Sequence, residues 1–253
     1  MAATSPRMPR VVAIIQARMG SERLPGKVLL DIEGQSMLER VVGRVKQSQS
    51  ITRVVVATTI NPNDDAIATA AKKLKVGVVR GNEEDVLDRF HDAADSYEAD
   101  VIVRVCADSP FIDPAVIDEA IEAYLSGQPA VDYASNKLSP TFPLGLDVEV
   151  FSRGALERAW RESTESFQRS HVTVYIYQNP SIFGLLPVTT ARNLHAMRWT
   201  VDMPEDIEFA RQVFKRLHGR NDFSWLDVVS IVEAEPHVAD INSHLRPKNV
   251  TEG

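Results

Sequence analysis

The chain has 253 residues, 44% hydrophobic and 25% charged, with a formal net charge of −7. That length suits one large α/β domain, and the acidic balance argues against nucleic acid or an anionic membrane surface as a partner. The single cysteine, Cys106, excludes an internal disulfide. No apolar run approaches the ~20 residues of a membrane span, and residues 1–9 read as a disordered end without a signal peptide's apolar stretch. A cytoplasmic protein is expected.

Apolar strands then alternate with amphipathic helices. Val11–Ala17 is the first predicted strand, and Met37, Leu38, Val41, Val42 and Val45 follow at helical spacing. Arg53–Thr59 is a strand, "NPNDDAIATAAKKL" a capped helix, Val76–Gly81 a strand and "EDVLDRFHDAADSYEA" a helix. Asp100–Asp108 is nearly all apolar, as in a central parallel strand. Asp113 and Pro114 open the next helix. This βαβα series predicts an α/β fold with a mostly parallel sheet flanked by helices, whose ligands sit at the carboxyl ends of the strands.

In the second half, "VDYASN", "LDVEVFS" and "SIFGLLPVTT" read as strands separated by helices and by loops bearing proline or glycine. "RWTVDMPEDIEFARQVFKRL" reads as a strand end, a turn and a long helix, and "SWLDVVSIVEAEP" as the last helix. One compact domain over 10–250 is expected, with a small strand-rich insertion near 135–190. The apolar residues of "SPTFPLGLDVEVF" and "HVTVYIY" predict a face that a second copy covers.

The loop after the first strand, "ARMGSERLPGK", spans residues 17–27. Five residues separate Gly20 from Gly26, not four, and Val28 replaces a hydroxyl, so it is no P-loop. Two glycines interrupted by Pro25 are no dinucleotide fingerprint either. A long cationic strand-to-helix loop remains, in which Arg18, Arg23 and Lys27 can surround a polyphosphate. The same residues could also form a plain solvated loop. Asp108 in "RVCADSPFIDP" and Asp202 in "RWTVDMPEDIE" each end an apolar run before a proline-bearing turn. Such aspartates can hold a divalent cation against a polyphosphate, or can merely cap the helices that follow.

These motifs, together with "VVVATT", "RGNEEDVLDRF", "FPLGLDVEVF" and "HVTVYIY", occur in an order that resembles the nucleotidyltransferase-fold (GT-A type, Rossmann-like) cytidylyltransferases. The spore-coat polysaccharide branch is the nearest, a relative of the synthetases that make CMP esters of 3-deoxy-manno-octulosonate and sialic acids. The resemblance implies CTP as donor, Mg2+ as cofactor, pyrophosphate as product and a homodimer. It implies that Arg18, Lys27, Asp108 and Asp202 are catalytic, with Asp108 and Asp202 binding the metal. Ala17, Arg18, Gly20, Arg23, Lys27, Thr58, Arg80, Gly81 and Asp108 would hold the nucleotide. Asp147 and Glu149, alternating on one strand face, would meet the acceptor with His171, read as opening a helix, and Arg198. The acceptor expected is an acidic sugar, with a small phosphonate as alternative; Arg198 or Arg104 could meet either anion. A non-catalytic nucleotide-binding subunit is a further alternative. Two departures stand out: Ala107 where the family commonly has glycine before the metal aspartate, and Val174 where it often has proline.

Overall fold

A computed structural model describes residues 8–246, so the predicted loose end at 1–9 falls mostly outside the described residues, as do 247–250 of the predicted domain. Seven strands form one sheet: β1 (Val11–Gln16), β4 (Arg53–Thr59), β5 (Gly77–Gly81), β6 (Val101–Cys106), β7 (Tyr133–Ser135), β8 (Glu149–Ser152) and β9 (Leu185–Pro187). Their spatial order is β5-β4-β1-β6-β8-β7-β9. The first four strands pair in parallel, β8 runs antiparallel between β6 and β7, and β9 runs parallel to β7. A two-stranded antiparallel ribbon, β2 (Asp31–Ile32) and β3 (Gln35–Ser36), stands apart.

The central strands are apolar on both faces because both are covered. Val11, Ala13 and Ile15 belong to a core with α1 (Met37–Val45), α2 (Asp65–Lys73), α4 (Pro114–Ser126), α8 (Pro204–Arg216), α9 (Trp225–Ala234) and α10 (Pro236–Ala239). Val12 and Ile14 face the other way, towards α3 (Val86–Ser96), α5 (Arg153–Glu162) and α7 (Val174–Tyr177). Helix starts follow local chemistry. Ser36 and Glu39 form a reciprocal capping box on α1, and Asp113 caps α4 ahead of Pro114. Among the described residues no helix is long and apolar enough to cross a membrane.

Three expectations change. The stretch near 135–190 adds β8 and β9 to the main sheet, beside β7, but it is richer in helix than in strand, because the helices expected between its strands, α5, α6 (Ser166–His171) and α7, are together longer than those strands. "HVTVYIY" thus closes α6 and forms α7, although its β-branched and aromatic residues favour strands; packing of Val172 and Ile176 into the core outweighs that preference. Most of its apolar residues, and of those of 142–151, are buried within one chain, with Leu144, Tyr175 and Tyr177 half-buried, so the argument that a second copy must cover them weakens. Third, the segment before Asp202 is not a strand: it makes one parallel bridge, Leu144 to Arg198.

That bridge is held by Leu144 N–H donating to Met197 O (2.9 Å) and by Trp199 N–H donating to Leu144 O (2.7 Å). Gly145 makes it possible. Its φ is +107°, and a Cβ there would lie 2.5 Å from Thr200 N and 2.7 Å from Trp199 C. Both obstacles are backbone, so Gly145→Ala should destabilise the fold by about 2–4 kcal/mol. Urea denaturation checks this; a loss below about 0.5 kcal/mol would contradict the packing described.

Candidate active site

The loop after β1 is shaped to send Lys27 inward. Pro25 and Gly26 occupy the central positions of a turn closed by Lys27 N–H donating to Leu24 O (3.1 Å), and Gly26 has φ +70°. Proline before a left-handed glycine is the type II signature. A 3-10 turn, Lys27–Leu29, follows, and Lys27 is only 8% exposed. The loop's other end is pinned by Met19 N–H donating to Asp64 Oδ1 (2.7 Å). Asp64 also accepts from Thr58 Oγ1 and from Thr59.

The Lys27 ammonium spends its three donors on Asp108 Oδ2 (2.8 Å), Asp202 Oδ1 (2.6 Å) and Val201 O (2.8 Å). Two aspartates 94 positions apart in sequence therefore meet at one cation at the carboxyl edge of the sheet. The backbone aligns them as well, because Val201 N–H donates to Asp108 O (2.8 Å). Burial works against the charged ammonium, but the two carboxylates outweigh it and hold the Lys27 pKa above the usual lysine value. Burial likewise opposes the Asp202 charge. Lys27, Arg23 and Arg198 more than compensate, so Asp202 stays ionised below the usual aspartate range. Arg23 reaches Asp202 Oδ2 at 3.3 Å, and Arg18 lies 3.6 Å from Glu83. Both arginines keep partial exposure. Ala107 takes no left-handed backbone, so the glycine-to-alanine departure is accommodated without strain.

Several predicted site residues make hydrogen bonds and ion pairs within the fold. Thr58 is fully buried and donates to Asp64, the residue that pins the loop through Met19 N–H. The Arg80 guanidinium is committed to Asp65 and to the Thr59 and Asn61 carbonyls, while Gly81 O accepts from Ile60 N–H; both brace the β4–α2 connection. Ala17 N–H is used on Ala57 O. Gly20 faces Glu83, whose Oε1 would lie 2.9 Å from an added Cβ.

On the β8 side, Glu149 is 3% exposed and paired with Arg104, its register partner on β6. Its other oxygen accepts from Tyr133 Oη (2.7 Å) and Thr173 Oγ1 (2.6 Å). Both Glu149 and Arg104 are thus engaged within the fold. Asp147 precedes β8 instead of sharing it; it is half-buried, and burial raises its pKa. His171 ends α6 instead of opening a helix, half-buried, with its pKa lowered by burial and by Arg104 and Lys137. The Arg198 guanidinium is taken bidentately by Asp206 (2.8 Å and 2.8 Å). The residue that sequence reasoning missed here is Lys137. Its Nζ is 3.8 Å from Glu149 Oε1 with the side chain 38% exposed, and Glu149, Arg104, Asp147 and Cys106 all act on its charge.

The strand-end loop thus aims a lysine at two converging aspartates. The cytidylyltransferase family model matches residues 12–227, and the chain belongs to that family. It is similar to the spore coat polysaccharide biosynthesis protein SpsF of Bacillus subtilis, 32% identical over 92% of this chain and 98% of the relative. It is also similar to the 3-deoxy-manno-octulosonate cytidylyltransferase of Geobacter sulfurreducens, 35% identical over 71% of this chain and 81% of the relative. A solved cytidylyltransferase from Leptospira borgpetersenii superposes with a TM-score of 0.89 at 30% identity, covering 96% of this chain and all of that one.

Proposed function

We propose that the chain transfers CMP from CTP to an acidic sugar of the 3-deoxy-2-ulosonic or nonulosonic type, releasing pyrophosphate. The observation that carries this reading is Lys27 held between Asp108 and Asp202 under a cationic loop. The name of the Geobacter relative supports the sugar-acid acceptor.

The donor set fits a magnesium ion, which is held by one or two carboxylates with waters and substrate phosphates completing its shell. Among the described residues no larger acidic or histidine cluster competes for that role. Asp108 and Asp202 would hold the ion, and when bound it supplies charge neutralisation at the α-phosphate. Lys27, Arg18 and Arg23 grip the triphosphate and stabilise charge on the leaving pyrophosphate. An acceptor hydroxyl oxygen forms the new bond to the α-phosphorus as the bond to the β-phosphate's bridging oxygen breaks, pyrophosphate leaves, and the hydroxyl proton passes to water, which reaches the partly exposed Asp108 and Asp202. The chain contributes positioning and electrostatics, without a covalent intermediate.

Arg104 and Arg198 are held closely by Glu149 and Asp206, whereas Lys137 stands 3.8 Å from Glu149 with its side chain 38% exposed, so Lys137 is the cation proposed to meet the acceptor carboxylate. A hydrogen bond to a charged group contributes ~1.5–3 kcal/mol, so Lys137→Ala should raise the acceptor KM about 10- to 100-fold with little change for CTP. Pyrophosphate release, measured with CTP, Mg2+ and a panel of sugar acids and phosphonates, tests the whole reading. Release with a 3-deoxy-2-ulosonate or nonulosonate is expected. Release with phosphonates alone would replace the acceptor assignment, and release with none would overturn it. Assembly as a homodimer rests on the family resemblance and the commonness of symmetric pairs; one dimeric species in light scattering is the expected result.

A further inference from the structure

We infer that Arg198, Asp206 and Asn242 form a positioning cluster that keeps Asp202 available for a cation, an inference resting on the reading of Asp202 as a metal ligand. Asp206 is fully buried in the first turn of α8. Its Oδ1 accepts from Arg198 Nε (2.8 Å) and Asn242 Nδ2 (2.9 Å). Its Oδ2 accepts from Arg198 Nη2 (2.8 Å), Asp202 N–H (2.9 Å) and Met203 N–H (3.0 Å). A carboxylate offers about four lone-pair sites, so this one is saturated.

A helix cap needs one such acceptor for an amide or two. Here the same group also takes a bidentate arginine from eight positions upstream and an asparagine from 36 positions downstream. Asn242 spends its second amide hydrogen on Arg198 O (3.0 Å), so one side chain ties both members of the ion pair. Two consequences reach Asp202. Its own backbone amide, and that of Met203, are fixed by Asp206, which sets the direction in which its carboxylate leaves the turn. The bidentate hold also keeps Arg198 back: its Nη2 is 2.8 Å from Asp206 Oδ2 but 3.5 Å from Asp202 Oδ2. Without the Asp206 charge, the nearest carboxylate for that buried guanidinium is Asp202. A full Arg198–Asp202 pair would add to the Lys27 and Arg23 contacts and leave less of the carboxylate for a cation.

The test uses the full chain with Mn2+ as the probe. Binding is followed by the electron paramagnetic resonance of free Mn2+ at saturating CTP, where no acceptor is needed. Asp206→Asn keeps the shape and removes the charge. Changing a group that orients a metal ligand costs ~10–100-fold, and a loss of Mn2+ affinity of that size is expected, with the CTP affinity little changed. Should Asp206→Asn not fold, Asn242→Ala removes one neutral donor from each partner; an approximately fivefold loss is expected. A merely structural cluster would lower the melting temperature of both variants while the folded protein bound Mn2+ as tightly as before, and that result overturns the inference. Wild-type protein taking up no Mn2+ with CTP would overturn the metal reading of Asp202, and this inference with it.

Discussion

Lys27→Ala is expected to lower turnover at saturating CTP by about 10²–10³-fold, the usual cost of one positioned electrostatic donor. On the proposed reading the ammonium meets charge on the triphosphate, and it is aimed at Asp108 and Asp202 by a buried backbone and the Pro25–Gly26 turn. Arg18 and Arg23, on the same loop, are more exposed, and neither can fill a space bounded by two carboxylates and the Val201 carbonyl. The fold should survive the substitution. Asp108 and Asp202 keep 25% and 22% side-chain exposure, so water can reach both, and Asp202 retains Arg23 and Arg198 nearby. The sign of the remaining pH dependence follows. Asp202 has a depressed folded pKa, so its contribution to stability is present above the unfolded value of ~3.9 and is lost as the pH falls through the folded one. Removing Lys27, the largest source of that depression, shrinks this contribution. Initial rates of pyrophosphate release decide the matter: a variant within a few-fold of wild type would return the loop to an ordinary solvated surface.

Much of the fold was legible because its parallel core is written in runs that a reader can recognise. β1, β4 and β6 are buried on both faces over most of their length and so mostly apolar. The loop was legible because Pro25, Gly26 and the cations are contiguous, and both aspartates because each follows an apolar stretch. What stayed hidden depends on register or on distant partners. Nothing local says that Glu149 stands opposite Arg104, since antiparallel pairing of β8 with β6 decides it; hence two buried partners were read as acceptor ligands. Arg198 looked like an anion site because Asp206 and Asn242 reach it across a turn and from the chain's last described segment. Thr58 looked like a strand-end hydroxyl facing a ligand, but the Asn61-Pro62-Asn63-Asp64 turn folds Asp64 back beneath it. Lys137 carried no signal of its own: a lone lysine in a loop becomes informative only once the other cations nearby are seen to be spent.

Glu149→Gln should cost about 3–5 kcal/mol of stability at neutral pH, the range found when one partner of a buried ion pair is removed. The geometry explains why an isosteric change is so costly. One Glu149 oxygen accepts from the Tyr133 and Thr173 hydroxyls, and a glutamine carbonyl can still do that. The other oxygen takes the Arg104 guanidinium, so the glutamine NH2 would place donor against donor while Arg104 stays buried and charged, with Gln16 Oε1 as its remaining side-chain acceptor (2.9 Å). Acid gives an independent measure of the same interaction. Burial opposes the Glu149 charge, yet Arg104 and Lys137, with the two hydroxyls, pull its pKa down to about 2. Against an unfolded value of ~4.3, the depressed carboxyl contributes roughly 3 kcal/mol. That contribution is complete above the unfolded pKa and drains away as the pH falls from about 4.3 towards about 2. Protonated Glu149 is then chemically close to glutamine. Urea denaturation of both proteins from neutral pH downwards should therefore show a gap that is widest at neutral pH and closes on acidification. A gap that stays constant with pH would mean that the charge pair is not what Glu149 contributes, and that the loss lies in packing alone.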